Sequence, residues 1–270
     1  MKNYIYLYYI DCLSRLSEFV VSAQSLKNTN PKYPIYCMIG NSISWCLGVC
    51  EFIKEITGQE PLYNYQPLSE IIYNNEKIVS VFCCSGKLKI FNLTNFDKIV
   101  LIDTDTYITQ NIDEIFDYPS GSMSDHQIDN TPNAGVLVVE PNVDCYNQFL
   151  KAKDNGYKQG YFGYSYDQDF VCKYFDYYNH PELRLPYIYN TIVPNIAGSN
   201  VDITKTKIFH FGCFPFKCED VEGWDIKNHC KTELVWNTVQ MYLKNYMTII
   251  NYYRVLYPNI PLALPKYKCL

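Results

Sequence analysis

The sequence lacks several features that would assign it to a common class of protein. No apolar run approaches the roughly 20 residues that a membrane-crossing helix needs, so we expect no membrane span. Lysine and arginine form no long run and the net charge is -5, which argues against nucleic acid as a partner. The glycine fingerprint GxGxxG is also missing, which argues against a dinucleotide-dependent enzyme.

The 12 cysteines include no CxxC pair, and several lie in apolar runs, which indicates free thiols rather than a disulfide framework. No signal peptide is apparent either, because the apolar stretch YIYLYYI is short and ends at Asp11 without a small-residue cleavage site. Together these features predict a cytoplasmic location. The 27 tyrosines are explained by A/T-rich codon usage, although their hydroxyls could also serve as acceptors.

The apolar pattern predicts a single α/β domain. A strand at 4–10, a helix ending near residue 28 and a second strand at 34–39 form the opening of a Rossmann-like unit. No internal repeat or low-complexity linker interrupts the chain. Further strands are predicted at 99–102, 121–124, 134–139 and 207–211, and further helices at 45–57, 85–93, 144–153, from about 166, and at 232–256.

The stretch IVLIDTDTYI, residues 99–108, carries the clearest chemical signal. Asp103 and Asp105 follow an apolar strand, at the edge where open α/β sheets bind ligands. Two carboxylates one residue apart can hold a hard divalent cation, which could in turn hold a diphosphate. A solvated turn would contain the same pair, so this motif needs support from the rest of the chain.

Other motifs supply that support, and their order resembles that of glycogenin and its relatives in glycosyltransferase family 8. The resemblance covers roughly residues 3–217 and implies a GT-A fold, with a central mixed sheet flanked by helices. It also implies a nucleotide-binding half at about 1–110, an acceptor half at about 111–230 and a C-terminal helix at about 231–256. The motifs are SLK at 25–27, GKL at 86–88, DTDTYITQNIDEIF at 103–116, NAGVLVVEP at 133–141, DQ at 167–168 and HFG at 210–212.

The resemblance also implies a set of site residues. Asp103 and Asp105 would bind Mn²⁺, or Mg²⁺ in its place, with His210 as the third ligand. Asp167 and Gln168 would act at the reacting centre. The predicted substrate-binding residues are Tyr9, Asp11, Arg15, Lys87, Thr104, Asn133, Ala134, Gly212 and Lys217.

The implied activity is retaining transfer of a sugar, expected to be glucose, from a UDP-sugar to a glycan or a protein tyrosine, including a tyrosine of the chain itself. The chain departs from the family pattern at several points. The spacing HxxGxxK becomes HFGCFPFK, the usual TN pair is Asp11 and Cys12, and Arg15 replaces a tyrosine. Tyr164 stands where glycogenins have a second acid. We expect the altered spacing to change the path of the phosphate loop. The changes at Asp11, Cys12 and Arg15 affect the expected contacts to uracil, and Tyr164 affects the expected donor sugar.

Three other interpretations fit parts of the sequence. A phosphatase of the haloacid dehalogenase type also carries DxD after an apolar strand. In those enzymes the motif usually lies near the N-terminus and is followed by Thr or Val where this chain has Tyr107. A transferase-like module could bind nucleotide sugar without transferring it. A zinc site could form from Cys213, Cys218, His229 and Cys230, although their spacing matches no common zinc module. The helix at 232–256 could support a homodimer or pack against its own domain.

Overall fold

The structure, a computed structural model, describes residues 2–40, 48–64, 84–154, 166–212 and 232–264. Within these ranges the strands are β1 (Tyr4–Ile10), β2 (Ile35–Gly40), β3 (Leu62–Asn64), β4 (Lys98–Ile102), β5 (Thr106–Ile108), β6 (Met123–Asp125), β7 (Pro132–Val139), β8 (Arg184–Leu185), β9 (Thr191–Ile192) and β10 (Ile208–His210). The α-helices are α1 (Leu16–Lys27), α2 (Val49–Thr57), α3 (Val143–Asp154), α4 (Tyr166–Tyr174) and α5 (Glu233–Leu256). Short 3-10 helices connect them, including Leu13–Arg15, Cys84–Asn92 and Asp113–Asp117.

The larger sheet is mixed and has the strand order β3-β2-β1-β4-β7-β6-β8. β1 pairs in parallel with β2 and β4, whereas β4 pairs antiparallel with β7. β4 is apolar from Ile99 to Ile102 because both of its faces are covered: Val100 and Ile102 pack in one core cluster, and Ile99 and Leu101 pack in the other. The predicted α/β class, the mixed sheet and the Rossmann-like opening are confirmed.

A smaller sheet in the order β5-β10-β9 lies beside the larger one. β10 pairs antiparallel with β5, which sets His210 opposite Thr106. Only β10 was predicted from the sequence, because strands of two or three residues are too short to show a hydrophobic period. This sheet joins the segment after the DTD motif to the segment that carries HFG.

Most predicted helices are present, with some differences in type and extent. The predicted helix at 85–93 is a 3-10 helix, Cys84–Asn92, rather than an α-helix. α2 begins at Val49, after Gly48, whose φ of 79° lies in the left-handed region that glycine tolerates. The segment 61–67, for which the pattern predicts irregular structure or an edge strand, contains the edge strand β3 in its described part.

The C-terminal helix α5 packs against its own domain. Tyr242 stacks on Phe211 with ring centroids 3.9 Å apart, and the Tyr253 hydroxyl donates a 2.8 Å hydrogen bond to Gln24. The last turns carry exposed apolar side chains, among them Tyr252. A search of the described helices found none with the length and apolar character of a membrane span.

Five cysteines, Cys12, Cys37, Cys50, Cys145 and Cys172, are free thiols, as predicted, and three of them are buried. Burial raises the pKa of the Cys145 and Cys172 thiols to about 12, so both stay protonated at neutral pH. The residues of the alternative zinc site, Cys213, Cys218, His229 and Cys230, lie outside the described residues, as does Tyr164.

Candidate metal and sugar-nucleotide site

The three predicted metal ligands come together where the two sheets meet. Asp103 follows β4, and its backbone N–H donates a 2.8 Å hydrogen bond to the carbonyl of Gly135 in β7. Asp105 precedes β5, whose pairing with β10 sets His210 opposite Thr106. The two acids are therefore brought to the histidine by backbone pairing on both sides of the motif.

The side chains of the three residues converge on one point. His210 Nε2 lies 3.2 Å from Asp105 Oδ1 and 4.0 Å from Asp103 Oδ2, and one ligand atom from each residue lies within 4.8 Å of the others. Asp105 is 4% exposed and His210 is 5% exposed. Buried carboxylates at this separation repel each other unless a cation compensates them. Two carboxylate oxygens and one imidazole nitrogen therefore fit a divalent cation such as Mn²⁺.

Lys87 connects this cluster to the predicted reacting centre. Its Nζ lies 2.5 Å from Asp103 Oδ1 and 3.6 Å from Asp167 Oδ2. The side chain projects from the 3-10 helix Cys84–Asn92 and is 18% exposed. One positive charge therefore lies between two carboxylates, which reduces their mutual repulsion.

Asp167 lies in the first turn of α4, where the helix dipole favours a negative charge, and it is 4% exposed. Its Oδ1 atom is buried and accepts no hydrogen bond from any residue in the described part of the chain. Such an atom costs about 1–3 kcal/mol, so a ligand hydroxyl at this position would be favourable. The neighbouring Asp169 is also buried, and burial followed by the charge of Asp167 raises the pKa of its carboxyl group.

Gln168 and the start of β7 lie together, as predicted. Gln168 Oε1 accepts a 3.1 Å hydrogen bond from the backbone N–H of Ala134. Asn133 Oδ1 accepts a 2.9 Å bond from the N–H of Gly135, and Asn133 Nδ2 lies 3.2 Å from His126 Nε2. The amide of Asn133 therefore already has protein partners on both sides.

Tyr9 and Asp11 lie at the carboxyl end of β1, beside the end of β2. A Cβ atom on Gly40 would lie 3.1 Å from the Asp11 Cα and 3.2 Å from the Tyr9 hydroxyl oxygen. Glycine therefore allows this close approach at the sheet edge where α/β proteins bind ligands. Cys12, rather than Asp11, occupies the N-cap position of the first helical turn.

Arg15 and Thr104 both contact Glu18, an acid that no motif indicated. Arg15 Nη1 lies 2.7 Å from Glu18 Oε2, and the Thr104 hydroxyl donates to the same oxygen at 3.3 Å. Burial of the guanidinium lowers the pKa of Arg15. The charge of Glu18 and its hydrogen bond together raise that pKa by more, so it lies above its ordinary value. The three-residue helical spacing from Arg15 to Glu18 was the available signal.

Asn190 is a second residue that the sequence did not indicate. Its Oδ1 lies 2.9 Å from His210 Nδ1, and its side chain is fully buried. No local pattern marks this asparagine, because it reaches the histidine only through the fold. Gly212 lies just after β10 with a φ of 60°, and Lys217 lies outside the described residues.

Sequence comparison relates the chain to two groups of transferases. No protein-family model matches it. Glycogenin-1 of Homo sapiens is 33% identical over 132 residues, which cover 46% of this chain and 37% of that protein. UDP-glucuronate:xylan alpha-glucuronosyltransferase 1 of Arabidopsis thaliana is 30% identical over 207 residues, covering 73% of this chain and 28% of that protein. The chain spans about a third of the length of the curated relatives that it matches.

Structural comparison agrees with the sequence matches. The glycosyltransferase GlyE of Streptococcus pneumoniae TIGR4 superimposes with a TM-score of 0.57 at 15% identity, covering 99% of this chain and 66% of that chain. At this level of identity the similarity establishes the fold alone. The matches confirm the resemblance found in the motifs: the chain has the GT-A fold and is similar to the glycogenin-like glycosyltransferases of family 8.

Proposed function

We propose that this chain is a glycosyltransferase that moves a sugar, expected to be glucose, from a UDP-sugar to an acceptor with retention of anomeric configuration. One observation carries the proposal: Asp103, Asp105 and His210 converge beside Lys87 and the buried acid Asp167. This arrangement supplies anionic and imidazole ligands, a cation and a sugar-facing acid within one site.

Asp103, Asp105 and His210 would hold Mn²⁺, with Mg²⁺ as the alternative. When bound, the metal would act as a Lewis acid that stabilises negative charge on the departing diphosphate. Lys87 adds a second positive charge next to Asp103, within reach of the diphosphate or the donor sugar.

Asp167 would orient the donor sugar and stabilise positive charge as it develops at the anomeric carbon. Its buried Oδ1, which lacks a partner in the described part of the chain, would accept a hydrogen bond from a sugar hydroxyl. Gln168 Oε1 is engaged by Ala134, so its amide nitrogen would donate to the sugar. In a front-face reaction the departing phosphate oxygen takes the proton from the acceptor hydroxyl, and the sugar keeps its anomeric configuration.

The nucleotide would bind along the carboxyl ends of β1 and β4. Tyr9 and Asp11 lie together at this edge, and the lack of a side chain at Gly40 leaves room beside them. The side chains of Arg15 and Thr104 face Glu18, so Thr104 would meet the nucleotide through its backbone. Gly212 and Lys217 are proposed to contact the diphosphate.

The acceptor is proposed to be a glycan or a protein tyrosine, including a tyrosine of this chain. The five free thiols at Cys12, Cys37, Cys50, Cys145 and Cys172 support a cytoplasmic location. A homodimer through the end of α5 is also proposed, supported by the exposed side chains of Tyr252, Val255 and Leu256. Light scattering on the purified protein would test the dimer.

The activity can be tested by incubating the protein with Mn²⁺ and a panel of UDP-sugars that includes UDP-glucose and UDP-glucuronate. Intact mass spectrometry and measurement of released UDP would be recorded together. Sugar increments on the chain would establish self-transfer, whereas UDP release from an unmodified chain would indicate a separate acceptor or hydrolysis. Binding without UDP release would contradict the proposal and favour a non-catalytic binding module. Phosphate release from a simple phosphate ester would favour the phosphatase alternative.

The matched variants are Asp103→Asn and Asp117→Asn. Asp117 is an exposed acid at the end of the 3-10 helix Asp113–Asp117, outside the site. We expect Asp103→Asn to lose UDP release by at least about 100-fold, because it removes a charged metal ligand. Asp117→Asn should retain the activity of the unchanged protein.

A further inference from the structure

The imidazole of His210 is held by a series of hydrogen bonds that begins at the backbone of β7. The N–H of Gly135 donates to the side chain of Asn133 at 2.9 Å. A backbone N–H can only donate, so the asparagine atom that faces it must be the oxygen. The other atom of the Asn133 amide, the nitrogen, then faces His126 Nε2 at 3.2 Å.

The same oxygen of Asn133 fixes the orientation of Asn190. It accepts a second hydrogen bond of 2.9 Å from the Asn190 side-chain nitrogen. The Asn190 oxygen must therefore point the other way, and it lies 2.9 Å from His210 Nδ1. Because that oxygen can only accept, the proton of a neutral His210 ring lies on Nδ1.

This tautomer leaves a lone pair on His210 Nε2, the atom that faces the two acids of the DTD motif. Nε2 lies 3.2 Å from Asp105 Oδ1 and 4.0 Å from Asp103 Oδ2. A metal-binding imidazole needs such a lone pair, and its other nitrogen usually donates to an oxygen that fixes the ring.

Gly135 also makes space for the ring. A Cβ atom at this position would lie 2.3 Å from His210 Cε1 and 2.5 Å from His210 Nδ1. No ordinary side-chain carbon tolerates these distances, so the histidine can occupy this position only beside glycine.

We propose that Asn190 and Asn133 are positioning residues, which hold the His210 ring with Nδ1–H donating to Asn190 and with Nε2 directed at the metal position. This inference deepens the proposed function and rests on it. It assigns the NAG part of the NAGV motif to the metal ligand: Asn133 orients Asn190, and Gly135 makes room for the ring. Asn133 then acts on the histidine in addition to the sugar contact that its motif implies, since its amide nitrogen has a second N–H.

The first test needs no variant. Nitrogen-15 NMR of the metal-free protein reports whether His210 Nδ1 carries a proton. The chain has 4 histidines, so a His210→Gln variant suffices to assign the signal. We expect a proton on Nδ1, because the Asn190 oxygen that faces it can only accept. A ring without a proton on Nδ1 would overturn the proposal.

The second test measures Mn²⁺ binding by the loss of the free-ion EPR signal, with UDP present. Asn190→Leu removes the hydrogen bonds of this side chain to Asn133 and His210 at similar volume, and we expect it to weaken Mn²⁺ binding by about 10–100-fold. Asn190→Asp keeps an acceptor for Nδ1 and should retain most of the affinity. Unchanged affinity in Asn190→Leu would overturn the proposal.

The matched control is Asn111→Leu. Asn111 is a half-buried asparagine whose Nδ2 donates a 2.9 Å hydrogen bond to Asp113, away from His210 and from the two positioning residues. It should bind Mn²⁺ like the unchanged protein. If the unchanged protein binds no Mn²⁺, the proposed function fails, while the NMR result still decides the orientation of His210.

Discussion

The ammonium group of Lys87 lies 2.5 Å from a carboxylate oxygen of Asp103. Asp103 is also a proposed metal ligand, so lysine and metal draw on the same carboxylate. The second contact of Lys87, 3.6 Å to Asp167, extends its charge to the reacting centre. We therefore expect the same side chain to influence both the proposed metal binding and the proposed catalysis, and its removal should affect them in opposite directions.

Replacing Lys87 by methionine is expected to reduce turnover by about 100-fold, because a cation is removed from the site of the developing negative charge. Mn²⁺ affinity should be equal or higher, since Asp103 loses a competing partner. UDP release and EPR titration measure the two quantities separately. Lys89→Met, on the same 3-10 helix, leaves this ion pair in place and serves as the control. Weaker Mn²⁺ binding with normal turnover would contradict this account.

Replacing Asp105 by asparagine should leave the metal-free protein at least as stable as before, because a buried negative charge beside Asp103 disappears. Stabilisation by Mn²⁺ and UDP should be lost. A ligand at 100 times its Kd stabilises a protein by about 2.7 kcal/mol, which thermal unfolding detects easily. Asp117→Asn is the control, and full stabilisation of Asp105→Asn by Mn²⁺ would show that the acid is not a ligand.

Replacing Gly135 by alanine should destabilise the fold by about 1–3 kcal/mol and abolish Mn²⁺ binding, because the new Cβ displaces the ring of His210. Gly198→Ala is a matched control, since a Cβ there would meet Ile128 at an ordinary 3.6 Å. Urea unfolding and EPR titration give the two readouts. Normal Mn²⁺ binding in Gly135→Ala would refute the close packing on which this expectation rests.

His126 should make stability depend on pH. Burial and the nearby His210 lower the pKa of its ring, against a weaker attraction from Asp129, so the folded pKa lies below the ordinary value of about 6.5. The unfolded chain therefore binds more protons between the two pKa values. Stability should be full above about pH 6.5 and should fall as the pH drops towards the folded pKa.

The His126→Gln variant should reduce that fall. Urea unfolding at several values between about pH 5 and pH 8 provides the measurement. His180→Gln replaces a half-exposed histidine and serves as the control. An unchanged pH profile in His126→Gln would assign the fall to another group.

Much of the fold followed from the sequence because it depends on local patterns. The strand Tyr4–Ile10 and helix α1 match their predicted places, since an uninterrupted apolar run and a helical apolar face are visible in one chain segment. The small sheet was largely missed, because β5 and β9 are too short to show such a pattern. Tertiary pairing, rather than local preference, makes these segments strands.

The candidate site divides in the same way. The DTD and HFG motifs gave the three proposed metal ligands, and the DQ motif gave the acid Asp167, through resemblance. Glu18 and Asn190 were missed, because their partners Thr104 and His210 are distant in the chain and no motif connects them.

The sequence by itself determined which chemical groups this protein has: two carboxylates after an apolar strand, an imidazole after a later strand and an acid at the start of a helix. Only the tertiary structure decided that they meet. The pairing of β5 with β10 brings His210 to Asp105, and the absence of a side chain at Gly135 lets the ring reach this position. Metal binding depends on contact distances between separate segments, and those distances arise only when both sheets have formed.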